Sequence, residues 1–161
     1  MDRLFDPLRR RAAADAIFYN ASRFAEFSIG WHALSLLGAA VSPTLRPHAA
    51  RMVVSLGVES LVVNQGIKRI FRRERPDLIE GSPHLRRPTT HSFPSGHASS
   101  GAMAAVLLSD AVPRLRPVWW AAAAAVATSR VHTRMHHASD ITAGAVVGST
   151  FGLVAKRIWP L

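Results

Sequence analysis

Cysteine is absent from the 161 residues, which excludes disulfide staples and thiolate metal sites and leaves the redox compartment unreadable. Acid is scarce as well: ten Asp and Glu stand against twenty Lys and Arg, for a formal net charge of +10. No long apolar run precedes residue 24, and no small-residue cleavage site follows one, so no removable signal peptide is expected. Nothing reads as a flexible linker between two cores, so residues 1–161 are expected to form one domain.

What the chain has in quantity is apolar surface, at 48% of residues, and a basic excess confined to particular places. Lys and Arg cluster at 3–11, 68–75 and 86–87, with smaller groups at 46–51, 114–116 and 156–157. A soluble nucleic-acid binder spreads its basic residues along helix faces or sheet surfaces, whereas charge held at the ends of apolar runs is the pattern of a bilayer protein. The expected partner is therefore the membrane, with no nucleic acid.

Five apolar segments near the short end of the spanning range run over 24–42, 52–67, 96–112, 118–131 and 141–155. Pro43, Pro47, Pro113 and Pro117 fall between them, where a missing backbone donor does least harm and the chain reverses most easily. The fold class this predicts is all-α, an integral-membrane helical bundle of about five spanning helices. Ahead of the first span, Ile17, Phe18, Ala21, Phe24, Ala25 and Ser28 share one helical face, and Asp15, Ser22, Arg23 and Glu26 share the other. That pattern fits an amphipathic N-terminal helix in the interface or beside the bundle, and equally the first turns of a longer first span. Trp119, Trp120 and Trp159 fit interfacial anchors, while Trp31 lies deep enough in its segment for core packing. Gly144, Gly148 and Gly152 repeat every four residues, a spacing that admits a close neighbouring helix, expected within the chain rather than in a dimer. The stretch 71–93, rich in Pro, Arg, His, Ser and Thr, reads as a polar loop carrying function.

Three polar groups carry the chemistry. Lys68 and Arg75, the latter followed by Pro76, are seven residues apart, so a helix through them would put both cations on one face, suited to a multiply charged anion. Pro94-Ser95-Gly96-His97 stands where the polar loop meets an apolar helix, and a helix N-terminus offers free N–H groups and a favourable dipole to phosphate. Ser129-Arg130 is followed by His136 and then, four residues on, by Asp140; a carboxylate beside an imidazole aims one ring nitrogen at an electrophile. Each piece alone has a bland reading as a topology signal, a helix start or a surface hydrogen bond. Glu59 and Asp110 sit inside apolar runs, where carboxylates are usually paired or face a polar cavity.

In order and at these spacings, from Lys68 to Asp140, the three groups resemble the signature of the type 2 phosphatidic acid phosphatase superfamily, which includes polyprenyl-diphosphate phosphatases and vanadium haloperoxidases. The resemblance implies that His136 is the nucleophile oriented by Asp140, and that His97 is the general acid. Lys68, Arg75 and Arg130, with the Ser95 hydroxyl and the Gly96 amide, would hold the phosphoryl oxygens. It further implies a phosphohistidine intermediate, no metal and no cofactor, because three fixed cations supply the charge that Mg²⁺ supplies elsewhere.

Within the superfamily the short, Arg- and Ala-rich chain looks like the actinobacterial members that act on decaprenylphosphoryl-5-phosphoribose, so the expected partner is a lipid-linked phosphate in cell-envelope synthesis. Phosphatidic acid, phosphatidylglycerophosphate and undecaprenyl diphosphate remain open, since the signature reads the phosphate and not the lipid. Known haloperoxidases are larger and soluble, against the apolar spans here. A non-catalytic basic membrane-surface protein is the alternative of another class. Counting arginines outside the motifs, Arg3, Arg9, Arg10, Arg11, Arg69, Arg72, Arg73, Arg86, Arg87 and Arg134 fall on the motif side. Arg46, Arg51, Arg114, Arg116, Lys156 and Arg157 fall opposite, so the positive-inside rule leans to a cytoplasmic active site in a bacterial plasma membrane. Oligomeric state is not readable.

Overall fold

The computed structural model describes residues 6–9, 11–77 and 89–161. Arg3, Arg10, Arg86, Arg87 and the loop histidine His84 lie outside the described residues. Among the described residues the fold is all-helical, without strands: α1 (Ala12–Phe24), α2 (Ile29–Val41), α3 (Arg46–Ser60), the single turn α4 (Lys68–Ile70), α5 (Gly96–Ala111), α6 (Arg116–His132) and α7 (Ala138–Ile158). A π-helical stretch, Leu61–Ile67, joins α3 to α4.

Two helices begin earlier than the apolar runs predicted, for the same local reason. Pro43-Thr44-Leu45-Arg46-Pro47 and Pro113-Arg114-Leu115-Arg116-Pro117 each form a 3₁₀ turn that leads into a helix with proline in its first turn. There the missing N–H costs no intrahelical bond and the fixed φ already suits the helix. Pro47 and Pro117 therefore belong to helices and not to the connections between them.

α5 is the centre of the bundle. Its sequence is small and weakly polar all round, and eleven of its sixteen residues are buried, as befits a helix contacted on every side. α7 packs closest to it along the glycine stripe. A Cβ added at Gly148 would lie 1.9 Å from the Ser99 carbonyl oxygen, and one at Gly144 would lie 2.4 Å from that of Ser95. The four-residue repeat thus serves contact within the chain. Trp31, Met52, Leu56, Met103, Leu107 and Val126 form the apolar core, with Trp31 fully buried as a packing residue.

Of the described helices, α7 alone is long and apolar enough to cross a membrane by itself. Ala12–Phe24 and Glu26–Val41 pass the same test only as a pair bent by 56°. The physical reason is length: helices of 13 to 17 residues reach about 20–25 Å, short of a hydrocarbon core of about 30 Å. The bend also splits the first expected span, since Glu26–Ser28 interrupts it with Phe27 and Ser28 at positive φ, and α2 starts only at Ile29.

Of the polar face of α1, Ser22 is buried and Asp15 bonds into the bundle, whereas Ile17 and Phe24 of the apolar face are 64% and 44% exposed. Phe18 and Ala25 do face inward. In a protein whose interior at this end is polar and whose outside is apolar, the polar edge of a helix finds its partners inside.

Candidate active site

The ends of α4 and α6 and the starts of α5 and α7 meet at one end of the bundle, and each of the eight residues singled out from the sequence stands there. Ser95 is the N-cap of α5, its Oγ accepting the Ala98 N–H at 3.4 Å. As an acceptor there it keeps its own O–H for a ligand. Its backbone N–H donates to the Asp140 carbonyl at 3.0 Å, tying the start of α5 to that of α7. Lys68 reaches over the same helix start: a Cβ at Gly96 would lie 3.6 Å from its Nζ and 3.2 Å from Oδ1 of Asn64. Gly96 therefore leaves the first-turn amides open to an anion between helix start and ammonium.

Lys68 and Arg75 do not share a helical face as expected. Helical structure stops at Ile70, and 71–77 is irregular; Pro76 disfavours helical backbone at Arg75. Arg75 is returned to the site by donating to the Thr90 carbonyl at 3.0 and 3.1 Å and to the Met135 carbonyl at 2.7 Å. The same Nη1 lies 3.3 Å from Nε2 of His136. Arg130, at the end of α6, donates to the Ser22 hydroxyl, and its carbonyl accepts the N–H groups of Met135 and His136 at 2.9 and 3.1 Å.

His136 and Asp140 do not share a helix either. His136 precedes α7, while Asp140 is the N3 residue of its first turn. The Asp140 carboxylate accepts the His137 N–H at 2.9 Å and Arg73 Nη1 at 2.9 Å, and stands 3.6 Å from Nδ1 of His136. That last distance is ion-pair range, beyond a hydrogen bond. Burial pushes the His136 imidazole down to about 3, with Asp140 opposing the fall and Arg130, Arg75 and Lys68 adding to it. The ring is thus a neutral base at physiological pH, its Nε2 facing the Arg75 guanidinium. Nε2 of His97, Nδ1 of His136 and Nε of Arg130 are buried without a hydrogen-bond partner among the described residues. All three lie in a site where Lys68, Arg130, His97 and His136 act electrostatically on one another.

Sequence reasoning missed three contributors and left a fourth without a role. Arg73 was counted as a topology charge but binds Asp140 and the Ser139 hydroxyl; its place two residues before Arg75 was the available signal. Asn64 and Ser22 offered none, since each depends on a neighbour distant in sequence. Glu59, flagged as a carboxylate in an apolar run, is buried facing α5, where it acts on Lys68. Among the described residues no group of three or more His, Asp or Glu has metal-binding geometry.

A helical bundle that gathers three cations and two histidines at the start of one helix defines a class, and the chain belongs to it: residues 48–161 match the PAP2 superfamily, a family of lipid-phosphate phosphatases. It is 34% identical over 140 residues to the decaprenylphosphoryl-5-phosphoribose phosphatase of Mycobacterium tuberculosis, spanning 85% of this chain and 76% of that protein. It is 28% identical over 99 residues to the lipid A 1-phosphatase of Rhizobium etli, covering 58% and 43% of the two chains. The fold is similar to Aquifex aeolicus LpxE, with a TM-score of 0.75 at 20% identity over 97% of this chain and 92% of that one. It is also similar to a transmembrane PAP2-type phosphatidylglycerolphosphate phosphatase from Bacillus subtilis, with a TM-score of 0.56 at 21% identity over 96% and 90%.

Proposed function

We propose that residues 1–161 form a single membrane-embedded domain that removes the phosphate of a polyprenyl-linked phosphomonoester of the decaprenylphosphoryl-5-phosphoribose kind. The observation that carries this reading is the convergence of Lys68, Arg75 and Arg130 on His136 and the start of α5. The identity to the mycobacterial enzyme across most of the chain supports the substrate.

A phosphomonoester brings two negative charges. The three cations, the Ser95 hydroxyl and the first-turn amides at Gly96 neutralise them, and positioning with charge stabilisation is most of what phosphoryl transfer asks of a protein. The Nε2 lone pair of His136 attacks phosphorus, the bond from phosphorus to the leaving oxygen breaks, and His97 gives that oxygen a proton. A water, losing a proton to His97, then displaces His136 from phosphorus, releasing inorganic phosphate and restoring both rings. Asp140 offsets the positive charge that His136 acquires while it is phosphorylated.

In this reading α2, α3 with α4, α5, α6 and α7 are five crossings, and tilt and local bilayer thinning accommodate the short ones. The arginine balance favours the cytoplasmic face of the plasma membrane for the site. A cysteine replacing exposed His91, in this cysteine-free chain, should be protected from an impermeant thiol reagent in intact cells, and one replacing Thr44 at the other end should be labelled. The reverse pattern places the site outside.

The substrate is tested by phosphate release from the detergent-purified protein across a panel. It comprises decaprenylphosphoryl-5-phosphoribose, undecaprenyl diphosphate, phosphatidic acid, phosphatidylglycerophosphate and lipid A. The highest kcat/KM is expected on the phosphoribosyl lipid. A higher value on another member replaces the substrate, and release from none leaves a non-catalytic binder.

A further inference from the structure

Four side chains of the N-terminal segment, all ahead of the part that matches the superfamily, meet the last turn of α6. Arg9 donates from Nε to the His132 carbonyl at 3.0 Å and from Nη2 to that of Val131 at 2.8 Å, which sets a cation at a helix C-terminus. Asp15 Oδ1 pairs with His132 Nε2 at 2.7 Å, and Phe18 stacks on the same ring at 4.5 Å between centroids. Ser22, 1% exposed, accepts from Arg130 Nη1. Asp15 and Ser22 are seven residues apart, about 10 Å of helix, but their partners are two apart, about 3 Å. α1 therefore crosses the end of α6 instead of running beside it.

We infer that α1 is a wall of the phosphate site and that Ser22 is a positioning residue for the reaction, fixing Arg130 and His97 relative to each other. The inference rests on the site reading given above. Arg130 ends a long flexible stem, and a guanidinium is useful to phosphate only in one plane. The Ser22 hydroxyl holds one of its terminal nitrogens, while its buried Nε keeps no protein partner among the described residues. The main chain of Ser22 also acts on the His97 ring. One residue so stands between the group that binds phosphate and the group that protonates the leaving oxygen. Directly after it the backbone turns through Phe27 and Ser28 at φ of 50° and 59°, a left-handed conformation that non-glycine residues adopt at a cost. That bend lets α1 leave the axis of α2 and lie over the site.

The test uses the full-length protein in detergent, with orthovanadate as the probe of the phosphate cradle. Ser22→Ala should weaken vanadate affinity by calorimetry and raise KM by about tenfold each, the scale of losing one hydrogen bond to a charged group. It should leave kcat within about twofold, because the main chain beside His97 is unchanged. Ser22→Thr should restore both values. In an Arg130→Lys background Ser22→Ala should add nothing, since contacts that act through one residue are not additive. Unchanged vanadate affinity in Ser22→Ala, a Ser22→Thr as impaired as the alanine, or full additivity with Arg130→Lys overturns the inference. Should the alanine variant not fold, Ser22→Cys fills the same volume with a poor acceptor and takes the same readings. Vanadate binding does not depend on the lipid, so failure of the substrate panel and failure of this inference are separate results.

Discussion

The bundle carries a charged cluster at each end, and the two are built oppositely. At the end away from the site, buried Arg51 and partly exposed Lys156 close on one carboxylate, Asp110, at 2.5 and 2.8 Å, and Arg51 also donates to the Trp159 carbonyl at 3.0 Å. Both cations there close on that one carboxylate, and the cluster ties α3, α5 and α7 together. At the site end Lys68, Arg75 and Arg130 gather round two histidines, while the Asp140 carboxylate is engaged by Arg73 and by its own helix cap. Buried cations that outnumber their carboxylates are costly unless an anion completes them. The distal cluster is a clasp, and the proximal one is a receptor for an anion.

The sharpest way to break this contrast is at His136, the proposed nucleophile. His136→Ala should abolish turnover and any acid-labile phosphoenzyme, a loss of about 10⁴-fold or more. His97→Ala should still bind phosphate and should recover part of its turnover on a substrate whose leaving group needs less protonation. Rapid-quench labelling that finds phosphate on His97, or near-normal turnover in His136→Ala, reverses the assignment. Next in size are the cations. Arg130→Ala should cost about 10²- to 10³-fold in kcat/KM with little change in melting temperature, since it removes charge that transition-state oxygens need. Arg51→Met should do the opposite, lowering stability by about 3 kcal/mol through the broken pair and leaving KM unchanged. If both lower kcat/KM alike, the two ends are not distinct in kind.

Most of the site was legible because its chemistry is local in sequence. Ser95 starts a helix, His136 and Asp140 lie four apart, and the order of the three groups is itself the signal. What the spacing hid was conformation: helical periodicity was extended through Arg72 to Arg75, where Pro76 and the bonds to Thr90 take the chain elsewhere. The helices were legible as apolar runs between prolines, yet their starts moved to Arg46 and Arg116, because proline begins a helix as readily as it ends one. Ser22 was illegible for a different reason. Its partner is 108 residues away, and no single-chain pattern announces a contact at that range. Which face of α1 would turn inward was not legible, because this interior is polar where α1 meets it.

The last expected effect concerns protons. Burial and neighbouring cations lower His136 from 6.5 to about 3 in the folded protein, whereas the unfolded chain keeps the ordinary value. Between these two pH values the unfolded state binds the proton and the folded state does not, so stability is fully present above about 6.5 and declines as pH falls toward 3. His136→Gln removes the titrating group while filling similar space, and its unfolding free energy should fall less steeply across that window. Chemical denaturation in detergent at a series of pH values between 4 and 8 reads the difference between the slopes. Identical slopes for the His136→Gln variant and the unmodified protein would mean that His136 titrates normally in the fold. The neutral nucleophile would then owe its state to the ambient pH and not to its burial among cations.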